Sequence, residues 1–501
     1  MKTTSNLSLK FQELFGIDLR SLALFRILTA LIVIGDLIQR IFDLETFYSD
    51  LGILPRSIEI TQYMNINHIS LHLISGNIFV QGVLFFISLI FAFALLIGFK
   101  TRLAAFMTWV LLLSVHNRAL ILTIGGDELL RMSLFWGMFL PLGACFSIDS
   151  KFSSSKETPK SVLSIASVAL LAQVLILYWF SIVFKSRSPE WLNGDAIYFA
   201  ISQEHYATQI GKYLFQFPHA MKLLTHSSFW FETIGPLLLF FPIFTGPIRT
   251  LIAFMFIGFQ IGMGSCIILT IFTWSASLVM IPFIPSWFWD KFLPIITKVI
   301  HLDFISSLFK KISNNLFSFA KLKQNTGSAF FNLSIFGNIF VLLMFLYVIW
   351  WNLWTVSKKF EIPKDLTVIA NILRIDQKWN LYCPIATYSY WYVIPAILKD
   401  GTRVDLFRNG KPVSWKKPKI ASKLFKNRHW RAFMLHLAWF PNNQKTLLPY
   451  LSWYLCKQWN ESHPENKQIK KLTIYLMYKT QLKNNKESKP KYYKLWEYSY
   501  S

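Results

Sequence analysis

The chain of 501 residues is poor in charge: Asp, Glu, Lys and Arg make up 15% of it, and only 26 residues are acidic. Soluble domains of ordinary composition carry about a quarter charged residues, so composition excludes a water-soluble globule of this size. Cysteine is scarce, with four in all. No two are spaced like metal ligands, which excludes a zinc module and a cysteine-built scaffold, and no metal is expected. There is no phosphate-cradling glycine loop, no nucleophile elbow and no long-period repeat, so P-loop enzymes, α/β-hydrolases and solenoids are excluded as well.

What is present is apolar and aromatic. Hydrophobic residues make up 53%, Phe alone supplies 47 positions, and the mean hydropathy is +0.40. Windows of about 20 apolar residues, the length that crosses a bilayer, recur near 22–42, 78–99, 103–121, 129–146, 162–184, 229–244, 251–272, 274–288 and 333–354. The expected fold is therefore an all-α polytopic membrane domain of about eight or nine transmembrane helices. The first, sixth and eighth windows are short or interrupted by charge and proline. Residues 1–18 are polar and lack a small-residue cleavage site, so no cleavable signal peptide is expected.

Lys2, Lys10, Arg20, Lys100, Arg102, Lys151, Lys156, Lys160, Arg249 and the cluster between Lys291 and Lys323 fall on one side of this scheme, and the opposing short loops are nearly free of positive charge. The positive-inside rule makes that side cytoplasmic. An integral protein of a bacterial inner membrane follows, with a cytoplasmic N-terminus and an extracytoplasmic C-terminal domain. The domain reading is a cytoplasmic segment 1–19, a transmembrane domain 20–290, a basic amphipathic connector 291–332, a last span 333–356 and a basic domain 357–501. Residues 358–501 hold about 27 Lys and Arg against about 9 Asp and Glu, roughly +18 of the formal +25. Anionic lipid head groups are the expected partner for that charge; no nucleic-acid motif accompanies it.

The long outer loops 43–77 and 185–228 carry apolar residues at helical spacing and read as interfacial or re-entrant helices. Beyond Trp354 the pattern turns β-like. A run at 391–398, a turn at Lys399–Thr402, a run at 403–407 and a turn at Asn409-Gly410 are hairpin signals. A helix containing 447–458 and a strand at 471–478 follow. Cys145 and Cys266 read as apolar fillers in spans, and Cys383 and Cys456 as a possible disulfide of the exported domain.

Five polar constellations interrupt the apolar background, where ionisable groups are costly. Asp36 and Arg40 share a helix face and can neutralise one another. His116-Asn117-Arg118 ends the third window and faces Gly125-Gly126-Asp127 and Arg131, suited equally to a proton relay or to locking two helices. Lys185 precedes Trp191, Gly194 and Tyr198: either a base whose pKa burial lowers, or an interfacial anchor. Glu232, inside the sixth window, needs a cation or a proton, with Lys185 and Arg118 the candidate partners. Gln260 and Gly262-Met263-Gly264-Ser265 read as close helix packing.

The motifs FRILTALIVIGDLIQR, ETFYSDLGILPR, HNRALILTIGGDELLRMSLFW, PLGACFSID and FKSRSPEWLNGDAIYFAI together resemble the HTTM family, membrane proteins similar to vitamin K-dependent gamma-carboxylase. The likeness covers roughly residues 21–285. LRIDQKWNLYCPIA and DGTRVDL resemble the extension of bacterial members. The resemblance implies quinol chemistry: Lys185, just before the Trp–x–x–Gly turn, as base; His116, Asp127 and Glu232 as polar support; Arg118, Arg131, Trp191 and Tyr198 around the quinol. Reduced naphthoquinone, oxygen and carbon dioxide are the implied cosubstrates, and an exported protein or peptide glutamate the acceptor. The carboxylase's large propeptide-binding region has no counterpart here. A non-catalytic role in envelope maturation, export or protection is the first alternative and a transporter the second; no paired broken helices in matching halves favour transport.

Overall fold

In the computed structural model the described residues are 6–152, 159–299, 329–330, 333–418, 420–481 and 488–500. Most are helical. Nine helices carry the N-terminal architecture: α1 (Leu19–Ile41), α2 (Ile78–Ile97), α3 (Thr101–Arg118), α4 (Gly125–Gly137), α5 (Ile165–Lys185), α6 (Pro218–Leu238), α7 (Thr245–Cys266), α8 (Ile271–Leu278) and α9 (Ile335–Val356). Side-chain caps fix several starts. Asp18 accepts from the Arg20 amide at 2.8 Å, Asn77 from Phe79 at 2.8 Å and Ser334 from Gly337 at 3.1 Å, each satisfying an amide the helix leaves orphaned. Gly98, at φ 69°, closes α2 in the left-handed conformation that only glycine adopts without strain.

Among the described residues five helices, α1, α2, α5, α7 and α9, are long and apolar enough to cross a membrane, and a sixth candidate arises if the segments 271–283 and 286–295, bent by 100°, form one broken span. The four other expected windows do not form a helix of that length and apolarity, for local reasons. Helix α3 ends in three buried polar residues, His116, Asn117 and Arg118. Helix α4 stops after 13 residues, shortly before Pro141, which cannot continue it. Helix α6 carries Lys222, His226 and Glu232 along with Pro236. Pro282 and Pro285 end the window at 274–288. Of the basic connector, residues 300–328 and 331–332 lie outside the described residues.

The helices pack as neighbours in sequence, α1 on α2, α2 on α3, α3 on α4 and α5 on α6, while α8 returns to touch α4, α7 and α1, and α9 closes against α5. At one end Arg20 bonds Asp18 and Asp290, which Lys160 also reaches at 3.2 Å. The C-terminal region caps the other end. It comprises strands β1 (Tyr388–Val393), β2 (Pro395–Leu398), β3 (Arg403–Asp405), β4 (Ile469–Thr480) and β5 (Lys491–Ser499), with helices α10 (Arg428–Trp439) and α11 (Pro441–Ser462) between β3 and β4. The expected run at 391–398 is split at Ile394, before Pro395, and both halves pair antiparallel with the long β4, whose other edge holds β5. One buried apolar core runs without interruption from Leu22 and Phe25 in α1 to Leu437 in α10 and Leu472 in β4. The two parts are therefore held together by burial.

The segment 43–77 forms short helices, Leu44–Tyr48, Arg56–Ile58 and a π-turn at Glu59–Tyr63, packed by buried Phe47, Tyr48, Ile53 and Leu54. All four cysteines are free. Cys383 Sγ instead contacts the Phe184 carbonyl at 3.1 Å, and Cys456 is buried on α11, where burial pushes its thiol up to about 12. The Cys383–Cys456 disulfide is corrected accordingly: the fold sends the two side chains to different neighbours.

Candidate functional site

The groups at Asp36–Arg40, His116–Arg131 and Lys185–Glu232 lie near the C-terminal region, and two separate arrangements result. The first is an ion cluster. The i,i+4 spacing puts Asp36 and Arg40 on one face of α1, and Arg40 Nε donates to Asp36 at 2.8 Å. Arg40 also reaches Tyr48 at 2.6 Å and Asp127 at 3.3 Å. Asp127 sits at the start of α4 and accepts from the Ile124 amide at 2.9 Å. A second guanidinium, Arg428, arrives from α10: it donates to both Asp127 oxygens, at 3.1 and 3.2 Å, and to Asp36. Two carboxylates thus face two guanidiniums, all buried. The charges cancel and each carboxylate holds several donors, the condition under which buried ions are tolerated.

His116 completes this cluster. Arg131 Nη1 lies 3.2 Å from His116 Nδ1. Arginine has only donors, so Nδ1 accepts, and a neutral imidazole then carries its proton on Nε2, 3.5 Å from Asp127. Asp36, His116 and Asp127 offer ligand atoms within 4.8 Å of one another, a spacing open to a metal. Arg40 and Arg428 already occupy both carboxylates, so a divalent cation would add two charges to a balanced site.

Arg131, expected near the quinol, instead anchors the tail: its Nε donates to the Arg374 carbonyl at 2.9 Å, and Arg374 bonds Asn117. Arg118 donates to the Leu54 carbonyl at 2.8 Å. Beside it lies Glu59, which accepts from the Leu120 amide at 2.7 Å and which burial pushes up to about 7. Both arginines are thus committed to structure rather than to the cavity beside Lys185, whose lining they do not join. Trp191 is placed as expected beside Lys185. Tyr198 is not: its ring stacks on Phe215 at 4.8 Å and its hydroxyl accepts from Gln481 at 2.9 Å.

The second arrangement is sparse. Lys185 ends α5, buried at 3% exposure, and its Nζ bonds Glu232 of α6, itself buried. Glu232 therefore pairs with Lys185 and not with Arg118. The ammonium lies 4.3 Å over the Trp191 ring, a cation–π contact that strengthens when desolvated. Trp191 is fixed by its Nε1, which donates to the Tyr382 carbonyl at 3.0 Å. The Trp-Leu-Asn-Gly turn is required here. Gly194 has φ 80°, and a Cβ on it would fall 2.6 Å from His226 Nε2 and 2.7 Å from Lys222 Cγ. Gln260, read as packing, in fact bonds the Tyr178 hydroxyl at 2.9 Å, and both border the space beside Lys185.

That space measures about 40 Å³, enough for two or three waters. Its walls include Phe272, Leu381, Tyr382 and Ile385, which also line a cavity of about 670 Å³ beneath the C-terminal region. The larger cavity is ligand-sized, largely apolar, and bordered by Gln203, Tyr206, Asn380, Arg428 and Arg431. No family model matches the chain, and no curated protein or solved structure matches it.

Arg428, Arg431, Glu59 and Arg374 escaped sequence reasoning. Asn427 caps α10, accepting from the His429 and Trp430 amides at 3.0 and 3.1 Å. Its place just before Arg428 and an apolar helical run was the signal that could have drawn attention to Arg428.

Proposed function

We propose that the protein is an integral membrane protein resembling vitamin K-dependent gamma-carboxylase, which binds a quinol beneath its C-terminal region and uses Lys185 as a base. The observation that carries this reading is Lys185 itself: a buried amine with one acidic partner, next to a water-sized space that shares a wall with a ligand-sized cavity. Moving one proton from Nζ to Glu232 converts the ion pair into a neutral amine and a neutral acid. That exchange creates no net charge in the buried site. The freed lone pair can then accept a hydroxyl proton of a hydroquinone, and Trp191 holds the resulting ammonium in place. The cavity's size and apolar lining suit a naphthoquinone ring, with Tyr206, Asn380 and Gln203 available to its oxygens.

Overall, hydroquinone and oxygen give quinone epoxide and water, and the linked acceptor step replaces a glutamate γ-hydrogen by carboxylate from carbon dioxide. The membrane is proposed to be a bacterial inner membrane, with the C-terminal region outside, where its basic surface meets anionic head groups and an exported acceptor. The test supplies reduced naphthoquinone and oxygen to the purified protein and follows epoxide by mass spectrometry, with Lys185→Ala alongside. Epoxide that vanishes in the variant supports the reading; no epoxide where an authentic carboxylase works overturns it.

A second reading, a non-catalytic envelope protein, draws on one observation. The space at Lys185 is too small for a ring unless Tyr382 or Leu381 moves. Full retention of fold with no quinol binding would favour it.

A further inference from the structure

Between α1, α7 and α8 lies another cavity, of about 600 Å³, walled by Leu28, Ile32, Ile257 and Leu278. Its rim is formed by Leu31, Ile261 and Trp274, each about half exposed on the apolar flank of the helices. Its inner end is polar: Asp36, Thr270 and Arg428. Thr270 and Arg428 also line the 670 Å³ cavity, so the two spaces meet at these side chains.

Three features show what such a space is shaped to hold. Gly35 interrupts the middle of α1, where glycine costs about 1 kcal/mol relative to alanine. Yet a Cβ built on it meets nothing within 4 Å, so the missing side chain leaves room that no neighbour uses. Thr270 precedes α8 with φ 53° and ψ −122°, a region that a β-branched residue occupies only under strain, and its buried hydroxyl has no partner among the described residues. The ions at the inner end are balanced, two carboxylates against two guanidiniums, so a charged head would leave one charge uncompensated.

We infer that this cleft is a lateral binding site for a neutral lipid-soluble molecule, its hydrocarbon chain lying along Gly35 and its hydroxyl or carbonyl oxygen bonded at Thr270, next to Arg428. The occupant reaches the protein from the bilayer, and its head group lies at the junction with the cavity under the C-terminal region. The inference rests on the proposed function only in taking the helices to cross a membrane; it requires no turnover.

The probe is a long-chain primary alcohol carrying a diazirine, photolysed with the full-length protein in lipid nanodiscs, followed by mapping of labelled peptides. Labelling is expected in residues 28–39 and 257–281. Gly35→Trp fills the room that is free and should lower it about tenfold, with an unchanged melting midpoint. Ser277→Phe, on the opposite wall, checks this should Gly35→Trp fail to fold, and Thr270→Val should weaken labelling several-fold through the lost hydroxyl. Labelling that both filling variants leave intact overturns the inference. So does a diazirine phosphatidylcholine that labels the cleft as strongly as the alcohol, because the space then holds ordinary bilayer lipid. Loss of epoxide formation with cleft labelling retained would count against the quinol reading alone.

Discussion

The two buried ionic arrangements are built differently. At Asp36, Arg40, Asp127 and Arg428, every carboxylate holds several donors and no side chain can leave without stranding a charge. At Lys185 and Glu232 there is one acid, one base, one ring and a water-sized space. Redundancy of partners marks a structural lock joining α1, α4 and the C-terminal region. Sparseness is what the proposed base role of Lys185 calls for, a single acidic partner beside a space.

The comparison breaks first at the cluster. Asp36→Asn or Arg428→Met leaves an uncompensated buried charge, and each should cost about 3–5 kcal/mol, seen as a large drop in the melting midpoint or loss of folded protein in detergent. Lys185→Met should be milder, about 1–3 kcal/mol, because it leaves a single group, Glu232, without its partner. Adding Glu232→Leu to it should restore most of that stability while turnover stays absent, as replacing a whole buried pair by apolar groups often does.

His205 sharpens the contrast, as a buried polar group outside both sites. Neither ring nitrogen finds a partner among the described residues, its ring stacks on Tyr390 at 4.3 Å, and burial pulls it down to about 3. Its unfolded pKa is near 6.5, so below that value the unfolded chain binds the extra proton. Stability is then full above about pH 6.5 and falls as the pH drops towards 3. His205→Phe should remove about 1.4 kcal/mol of that loss at pH 5.5 and change little at pH 8, measured as thermal melts at both values. The smallest effect is expected from reductant: with Cys383 and Cys456 unpaired, dithiothreitol should leave the midpoint within about 1 °C.

Local chemistry in the sequence anticipates the C-terminal region well. The Lys399–Thr402 turn, the left-handed Asn409 and Gly410, the helix over 447–458 and the strand at 471–478 all lie inside observed elements or turns, because turn residues and alternation act over a few positions. The i,i+4 pair Asp36–Arg40 was legible for the same reason. The windows at 103–121, 129–146, 229–244 and 274–288 were less so. Hydropathy windows cannot see that α3 ends in polar groups buried by protein, or that prolines cut 274–288 into pieces. The partner of Arg428 was illegible, though the Asn427 cap marks the residue: it meets Asp36 across 392 residues, and nothing local signals a partner that distant. The same holds for Cys383 and Cys456, where compartment reasoning suggested a possible bond and both thiols are free.

The most direct test sets the two arrangements side by side. Epoxide formed from reduced naphthoquinone, per folded molecule, is measured for the wild type, Lys185→Met and Asp36→Asn, with melting midpoints taken on the same samples. A folded Lys185→Met that makes no epoxide, beside an Asp36→Asn that loses its fold, is the predicted result. A Lys185→Met that still turns over quinol, or an Asp36→Asn that melts like the wild type, would contradict the account.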